Sequence, residues 1–183
     1  MAASAEWSAH KAVAAIQPQP WKSHAWRFHH HRYSATDASG SLQVSGRYHR
    51  ASREFPEDQS WVALYLALSP EASLGEVMRH FGPDLLPQLN EYRLTELDVE
   101  VEAVLDCRDA RALGLAADAL VGDYDFTVTR EIAAAAIAKE AEGILVPSAT
   151  GLGENLVVFA SQLRSSSRLA VVESRDARLY IPR

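Results

Sequence analysis

Five polar positions in this chain combine residue types and neighbours that could bind a phosphorylated ligand and cleave a glycosidic bond. They are Arg27, Arg47 in Ser45-Gly46-Arg47-Tyr48, Tyr65, Glu76 and Ser148. Arginine suits phosphate because its planar fork donates two parallel hydrogen bonds to a pair of oxygens. Gly46 before Arg47 lets backbone approach a ligand closely. Glu76 has two readings. One is a solvated helix glutamate, opposite the apolar stripe of its helix. The other is a cleft carboxylate that binds a ribose hydroxyl and stabilises an oxocarbenium-like transition state; Ala72 and Gly75 then leave room for the ligand. Tyr48 and Tyr65 suit stacking on a flat heteroaromatic ring, with core packing as the alternative. Ser148 follows an apolar run and opens a glycine-containing loop, which suits a hydroxyl contact to ligand, or a turn or cap. It lacks a Gly-x-Ser-x-Gly context, so it does not read as a hydrolase nucleophile. Asn155 is expected to satisfy nearby backbone and orient that loop.

Other polar clusters carry less. Neighbours in the extended run His29-His30-His31 point to opposite faces, and no acid or cysteine stands at ligand spacing, so no metal is expected. Cys107 is the one cysteine, which excludes an internal disulfide or a cysteine-based zinc site and fits a reducing cytoplasm. The acids Glu96, Asp98, Glu100 and Glu102 read as a solvated strand face, or as a surface for a basic protein.

The elements that position these residues follow from periodicity. Residues 1–16 suggest a short helix stopped by Pro18 and Pro20. Residues 21–33 read as an extended segment holding Arg27, and 34–60 as a long irregular stretch. Trp61–Leu68 reads as a buried strand with Val62, Leu64, Leu66 and Leu68 on one face. Trp61, Ala63, Tyr65 and Ala67 make the other, and the alanines leave space around the tyrosine ring. Ser69 and Pro70 start a helix whose core face is Leu74, Val77, Met78 and Phe81, ended by Gly82-Pro83. Leu97, Val99, Val101, Ala103 and Leu105 alternate with acids, which marks a strand with one buried face. A helix over 130–142 is expected, with Thr129 as cap and Gly143 as stop. Strands follow at 144–146 and 156–160. Closing strands at 169–173 and 179–181 flank an Arg-Asp-Ala turn. Strands outnumber helices without regular alternation, so the fold class is α+β, a mixed β-sheet core with flanking helices.

At 183 residues, with 48% hydrophobic and 23% charged residues, the chain fits one soluble globular domain. The net charge of −6 disfavours direct nucleic acid or anionic membrane binding. The longest apolar run is far short of the roughly 20 residues of a membrane helix. The N-terminus lacks a secretory pattern.

In order and context these residues resemble the RES domain family. The family pattern runs from an early arginine to Gly-Gly-Arg-Trp-Asn, then to Tyr-Leu-Ala-x-Ser-Pro with a glutamate on the following helix. It ends with Gly-Ile-Leu-x-Pro-Ser, an asparagine and a phenylalanine-containing strand. Its counterparts here are Arg27, Ser45-Gly46-Arg47-Tyr48-His49, Tyr65-Leu66-Ala67-Leu68-Ser69-Pro70 with Glu76, and Gly143-Ile144-Leu145-Val146-Pro147-Ser148 with Asn155 and Phe159. The second segment departs most, with His49 where the pattern has asparagine. The resemblance spans about residues 22–175 and implies a fold related to ADP-ribosyltransferase toxins. It places a helical extension at 1–21 and one NAD-binding domain at 22–183. It implies a cytoplasmic toxin that consumes NAD by hydrolysis or phosphorolysis, with mono-ADP-ribosylation of a protein as the alternative. A catalytically inactive nucleotide-binding module is a third reading. Arg27, Tyr65 and Glu76 would be catalytic; Arg27, Arg47, Tyr48, Tyr65, Ser148 and Asn155 would bind NAD. The implied partner is a helix-turn-helix antitoxin, in a homo-oligomer or a toxin–antitoxin hetero-oligomer.

Overall fold

The computed structural model describes residues 7–180, with backbone only for 80–86. In chain order the elements are α1 (Ala9–Ala14), β1 (Gln19–His30), β2 (Ala63–Ala67), α2 (Pro70–Phe81), β3 (Tyr92–Asp106), α3 (Thr127–Ala138), β4 (Gly143–Pro147), β5 (Glu154–Phe159) and β6 (Arg168–Asp176). The six strands form one sheet in the order β1-β2-β5-β4-β3-β6, and β1 also pairs with β3, so the sheet closes on itself. Among the described residues only β3 and β4 run parallel. This is an α+β architecture with a mixed sheet core and few helices.

The face alternation of β2 decides the layering. Leu64 and Leu66 enter a core with Leu97, Val99, Val101, Leu145, Leu156 and Val158, drawn from the strands around the closed sheet. Ala63 and Tyr65 face a second core with Ile144, Val146, Val157 and Phe159, covered by α1 and α3 through Val13, Ile132 and Ala136. α2 packs on β1, and Val77 and Met78 join Phe28, Tyr92 and Leu89.

β3 changes phase partway along. Gln19 pairs with Val104 but Trp21 with Val101, so one extra β3 residue bulges out. Leu97, Val99 and Val101 therefore share a core with Val104, whereas Leu105 turns into the other. The single apolar face expected over 97–105 ends at this bulge. The bulge is held by Glu142, whose side chain is fully buried. Its Oε2 accepts the N–H groups of Glu102 (2.9 Å) and Ala103 (3.0 Å), and its Oε1 accepts Arg164 N–H (2.6 Å) and Ser167 Oγ–H (2.5 Å). Burial alone would raise this carboxyl's pKa, but these donors hold it below the ordinary range.

Several boundaries differ from the sequence reading. The first helix covers only Ala9–Ala14 of the expected residues 1–16, and residues 1–6 lie outside the described part. α3 ends at Ala138 because Glu140 takes a left-handed conformation (φ 59°), and Gly143 already belongs to β4. Thr129 lies within α3 and donates to Arg47 O and Phe126 O instead of capping. Ser69 does cap α2, accepting Ala72 N–H at 3.1 Å. Among the described side chains of α2 the buried ones are Ala72 and Ser73, while Leu74 is half-buried, because small residues let the helix approach β1. The Phe81 side chain lies outside the described part. β6 runs through Arg175 and Asp176, and Ala177–Tyr180 is a 3-10 turn where a strand was expected; Ile181 is outside the described residues.

The acidic face of β3 is matched by its neighbours. Lys22 pairs with Glu100, His24 with Glu96, and Arg168 with Asp98. Arg164 lies 3.7 Å from Glu102. The strand is thus a solvated, cross-paired face, the plainer of its two readings.

Candidate active site

A cavity of about 790 Å³ opens where β1, β2, α2, the 38–49 segment and the 120–126 segment meet. Ala63, Tyr65 and Ala67 form part of its wall, so the space expected beside the tyrosine is present. Arg27, Arg47, His49, Glu76, Arg79, Asp123 and Asn155 supply its polar lining.

Glu76 is held at one oxygen. Its Oε1 accepts Ser148 Oγ–H at 2.6 Å and Asn155 Nδ2–H at 2.9 Å. Among the described residues Oε2 has no partner. The hold extends into the loop after β4. Ser148 Oγ also lies 2.7 Å from Thr150 Oγ1, which in turn accepts Leu152 N–H. Ser148 is 2% exposed and is absent from the cavity wall, so its hydroxyl acts on Glu76 and not on a ligand; it also accepts Thr150 N–H at 3.2 Å, which is the turn role of its two readings. Asn155 likewise serves Glu76 in place of the backbone it was expected to satisfy. Its strand position, opposite Ala67 and Val146, fixes where the amide stands. Gly75 leaves room for this loop and not for a ligand: a Cβ there would lie 2.6 Å from Leu152 Cδ1.

Arg27 donates from Nη1 to Ala35 O (2.8 Å) and Asp37 O (2.6 Å). Burial lowers its pKa, with the nearby Asp37 charge opposing. Its hydrogen-bond partners among the described residues are backbone carbonyls, so this half-buried cation is poorly compensated and faces the cavity. Arg47 is held more fully. It donates to Leu120 O and Gly122 O, lies 3.7 Å from Asp123, and stacks 4.6 Å from the Phe126 ring centroid. Behind it runs an alternating row of cations and rings. Arg130 lies over Phe126 (5.6 Å) and Phe55 (5.9 Å), and Arg50 over Phe55 (5.3 Å) and Trp61 (5.5 Å). Arg130 Nε also donates to Gly46 O, fixing the turn that carries Arg47.

Tyr48 is 2% exposed, so the flat face that stacking needs is covered; its hydroxyl reaches Leu120 O at 3.4 Å. Tyr65 Oη accepts Tyr48 N–H at 2.9 Å and lies 3.0 Å from His49 Nδ1. Burial raises the pKa of both phenols. Burial also holds the His49 imidazole below its ordinary pKa. With the proton on Nε2 that ring donates to Val44 O (2.9 Å) and Nδ1 accepts the Tyr65 hydroxyl, while the Gly46 N–H, 3.1 Å from Nε2, loses its acceptor. With the proton on Nδ1 the Tyr65 O–H is released toward the cavity. Gly46 is required here, since a Cβ would lie 2.5 Å and 2.7 Å from His49 ring atoms and 3.0 Å from Tyr65 Oη.

The histidine run is otherwise engaged. His29 Nε2 meets Thr95 Oγ1, His30 Nε2 meets Glu91 Oε2, and His31 Nδ1 meets Glu91 O. Among the described residues no helix is long and apolar enough to cross a membrane.

These features define a class: a closed mixed sheet with a polar cleft, in which one anchored carboxylate faces arginines from separate segments. The RES domain profile matches residues 24–180, and the chain belongs to the RES domain family. A chain of the crystal structure of the M. tuberculosis MbcT–MbcA toxin–antitoxin complex has the same fold, with a TM-score of 0.78 and 27% sequence identity over 94% of each chain. No curated protein sequence matches.

Of the sequence-predicted residues, Arg27, Arg47, Tyr48, Tyr65, Glu76 and Asn155 come together at the cavity and Ser148 stands directly behind it. Arg79, Asp123 and Phe126 were missed. Arg79 stands three residues after Glu76 on α2, one helical turn away on the same side, and that spacing could have flagged it. Asp123 and Phe126 lie in a connection without periodicity.

Proposed function

We propose that this protein is the toxin of a toxin–antitoxin pair and that it cleaves the nicotinamide–ribose bond of NAD. The observation that carries the reading is the half-anchored Glu76. Ser148 and Asn155 fix one carboxylate oxygen, and the other is left to accept a ribose hydroxyl and to oppose the positive charge that develops at the anomeric carbon. The fixed geometry costs no reorganisation as that charge forms. Arg27 and Arg47 pair with the pyrophosphate, and the volume of the cavity is in the range of small-molecule sites. Tyr65 lies against the ribose and base, its hydroxyl set by Tyr48 N–H and His49. Tyr48 contributes that backbone N–H, and Ser148 acts through Glu76. Nicotinamide leaves with the bonding electron pair, and water or phosphate supplies the oxygen that closes the anomeric carbon. In this reading the protein works in the cytoplasm. An antitoxin partner is supported by membership of the family and by the MbcT–MbcA complex, and in this reading that antitoxin is a helix-turn-helix protein.

The test is cellular NAD after induction of wild type and of Glu76→Gln. Wild type is expected to deplete NAD, and the variant to be slower by about a hundredfold or more, the loss typical of one preorganised electrostatic group. Undiminished NAD with wild type would remove the enzyme reading; equal depletion by the variant would remove Glu76 from it.

A further inference from the structure

Among the described residues three arginines and two carboxylates line the cavity, and the proposed reaction uses only Arg27, Arg47 and Glu76 of these. The remaining pair is Arg79 and Asp123. Arg79 projects from α2 one turn beyond Glu76, and it donates to Ala149 O and to Asp123 Oδ1. The same Oδ1 lies 3.7 Å from Arg47 Nη2. Two guanidinium groups from different elements thus converge on a single carboxylate oxygen at the edge of the cleft. Oδ2 of Asp123 has no partner among the described residues.

We propose that Arg79 is a further anion-binding residue of this site, and that Asp123 is a resident counter-anion which a ligand phosphate displaces. The carboxylate itself marks the geometry, since an anion is already seated between Arg47 and Arg79. A pyrophosphate presents more free oxygens and more charge than a carboxylate, and both guanidinium forks can engage it bidentately. Asp123 is easily replaced. Its side chain is 50% exposed, and ion pairs so open to water are weak. The exchange needs a rotation of one side chain and no opening of the segment, because Arg47 keeps its bonds to Leu120 O and Gly122 O. Without a ligand, Asp123 keeps the two cations apart from each other's repulsion; with one, Arg79 carries charge binding to within a turn of Glu76.

The identity of the natural ligand rests on the NAD reading, but the exchange does not. Inorganic pyrophosphate is therefore the probe, titrated by calorimetry at low salt into wild type, Asp123→Asn, Arg79→Met and the double variant, each checked by thermal melting. Asp123→Asn is expected to tighten pyrophosphate binding about fivefold, the scale of one exposed ion pair. Arg79→Met is expected to weaken it by a similar factor and to shrink the gain from Asp123→Asn. In NAD turnover both substitutions should move KM and leave kcat nearly unchanged. Unchanged or weaker pyrophosphate binding by Asp123→Asn overturns the proposal, as does an Arg79→Met variant that binds like wild type. Should Asp123→Asn fail to fold, Asp123→Ser provides the same comparison. Tighter pyrophosphate binding by the variant, together with a wild type that leaves NAD intact, keeps the exchange and discards the NAD reading.

Discussion

Replacing Glu142 with glutamine removes one charge and almost no volume, and the four donors around it make the cost calculable. The best amide orientation keeps the oxygen toward Glu102 N–H and Ala103 N–H and turns the NH₂ toward Arg164 and Ser167. The Ser167 hydroxyl can rotate to accept, but Arg164 N–H is left facing another donor. An orphaned buried donor costs about 1–3 kcal/mol, and hydrogen bonds that lose their charge assistance weaken by roughly half. The sum is about 4 kcal/mol. For a chain of this length each kcal/mol lowers the melting temperature by roughly 2–4 °C, so Glu142→Gln should melt about 12 °C below wild type at pH 7. The acid dependence adds a second check. The donors hold the Glu142 pKa below its ordinary value of 4.5. Its stabilisation is therefore complete above that value and is lost as pH falls through the lower, folded-state value. The gap between the two proteins should narrow in that acid range. A variant that melts within about 2 °C of wild type at neutral pH would refute the view that this carboxylate secures the bulge.

Three further outcomes follow from the site. Ser148→Ala and Asn155→Ala should each slow NAD cleavage about thirtyfold with little change in KM, the scale of one hydrogen bond to a charged group, and the double variant should lose less than the product of the two; a KM effect alone would place these residues on the ligand. Gly46→Ala should cost about 1–3 kcal/mol in thermal melting, because the added methyl displaces a packed ring; an unshifted transition would show that His49 moves freely. Burial lowers the His49 pKa, so the stability tied to its neutral form is complete above about 6.5 and falls as pH drops toward the folded-state value. His49→Asn should flatten that part of the stability profile, measured by denaturant melts across the range.

Much of the site was legible because its residues sit at the ends of regular elements. The alternation in 61–68 separated Tyr65 from the leucine face, and Ser69-Pro70 fixed where α2 starts and hence where Glu76 stands. Contexts were more informative than roles. Ser148 and Asn155 stand out in the sequence, and the turn at Ser148 is legible there, but their shared hold on Glu76 is not, because a sequence does not show that β4 and β5 bring them to the same carboxylate oxygen. Glu142 was invisible for a related reason. Its four donors come from residues 102–103 and 164–167, and the bulge that needs it exists only once β1 and β3 are paired. Strand phase was lost there as well, since alternation read past 101 assumes an unbroken pleat.

The outermost strand has a consequence for the behaviour of many copies together. Among the described residues β6 pairs with β3 on one side only, and its pairing skips Val172: Glu173 lies opposite Glu96, while Val171 lies opposite Leu97. Val171 and Val172 are 54% and 52% exposed, an invitation to a passing strand. The skipped residue breaks the even row of backbone groups that such a strand would read, and Arg168, Glu173 and Arg175 add charge along it. A chain made in quantity thus meets its own copies with an edge that is out of step, which works against strand-by-strand addition.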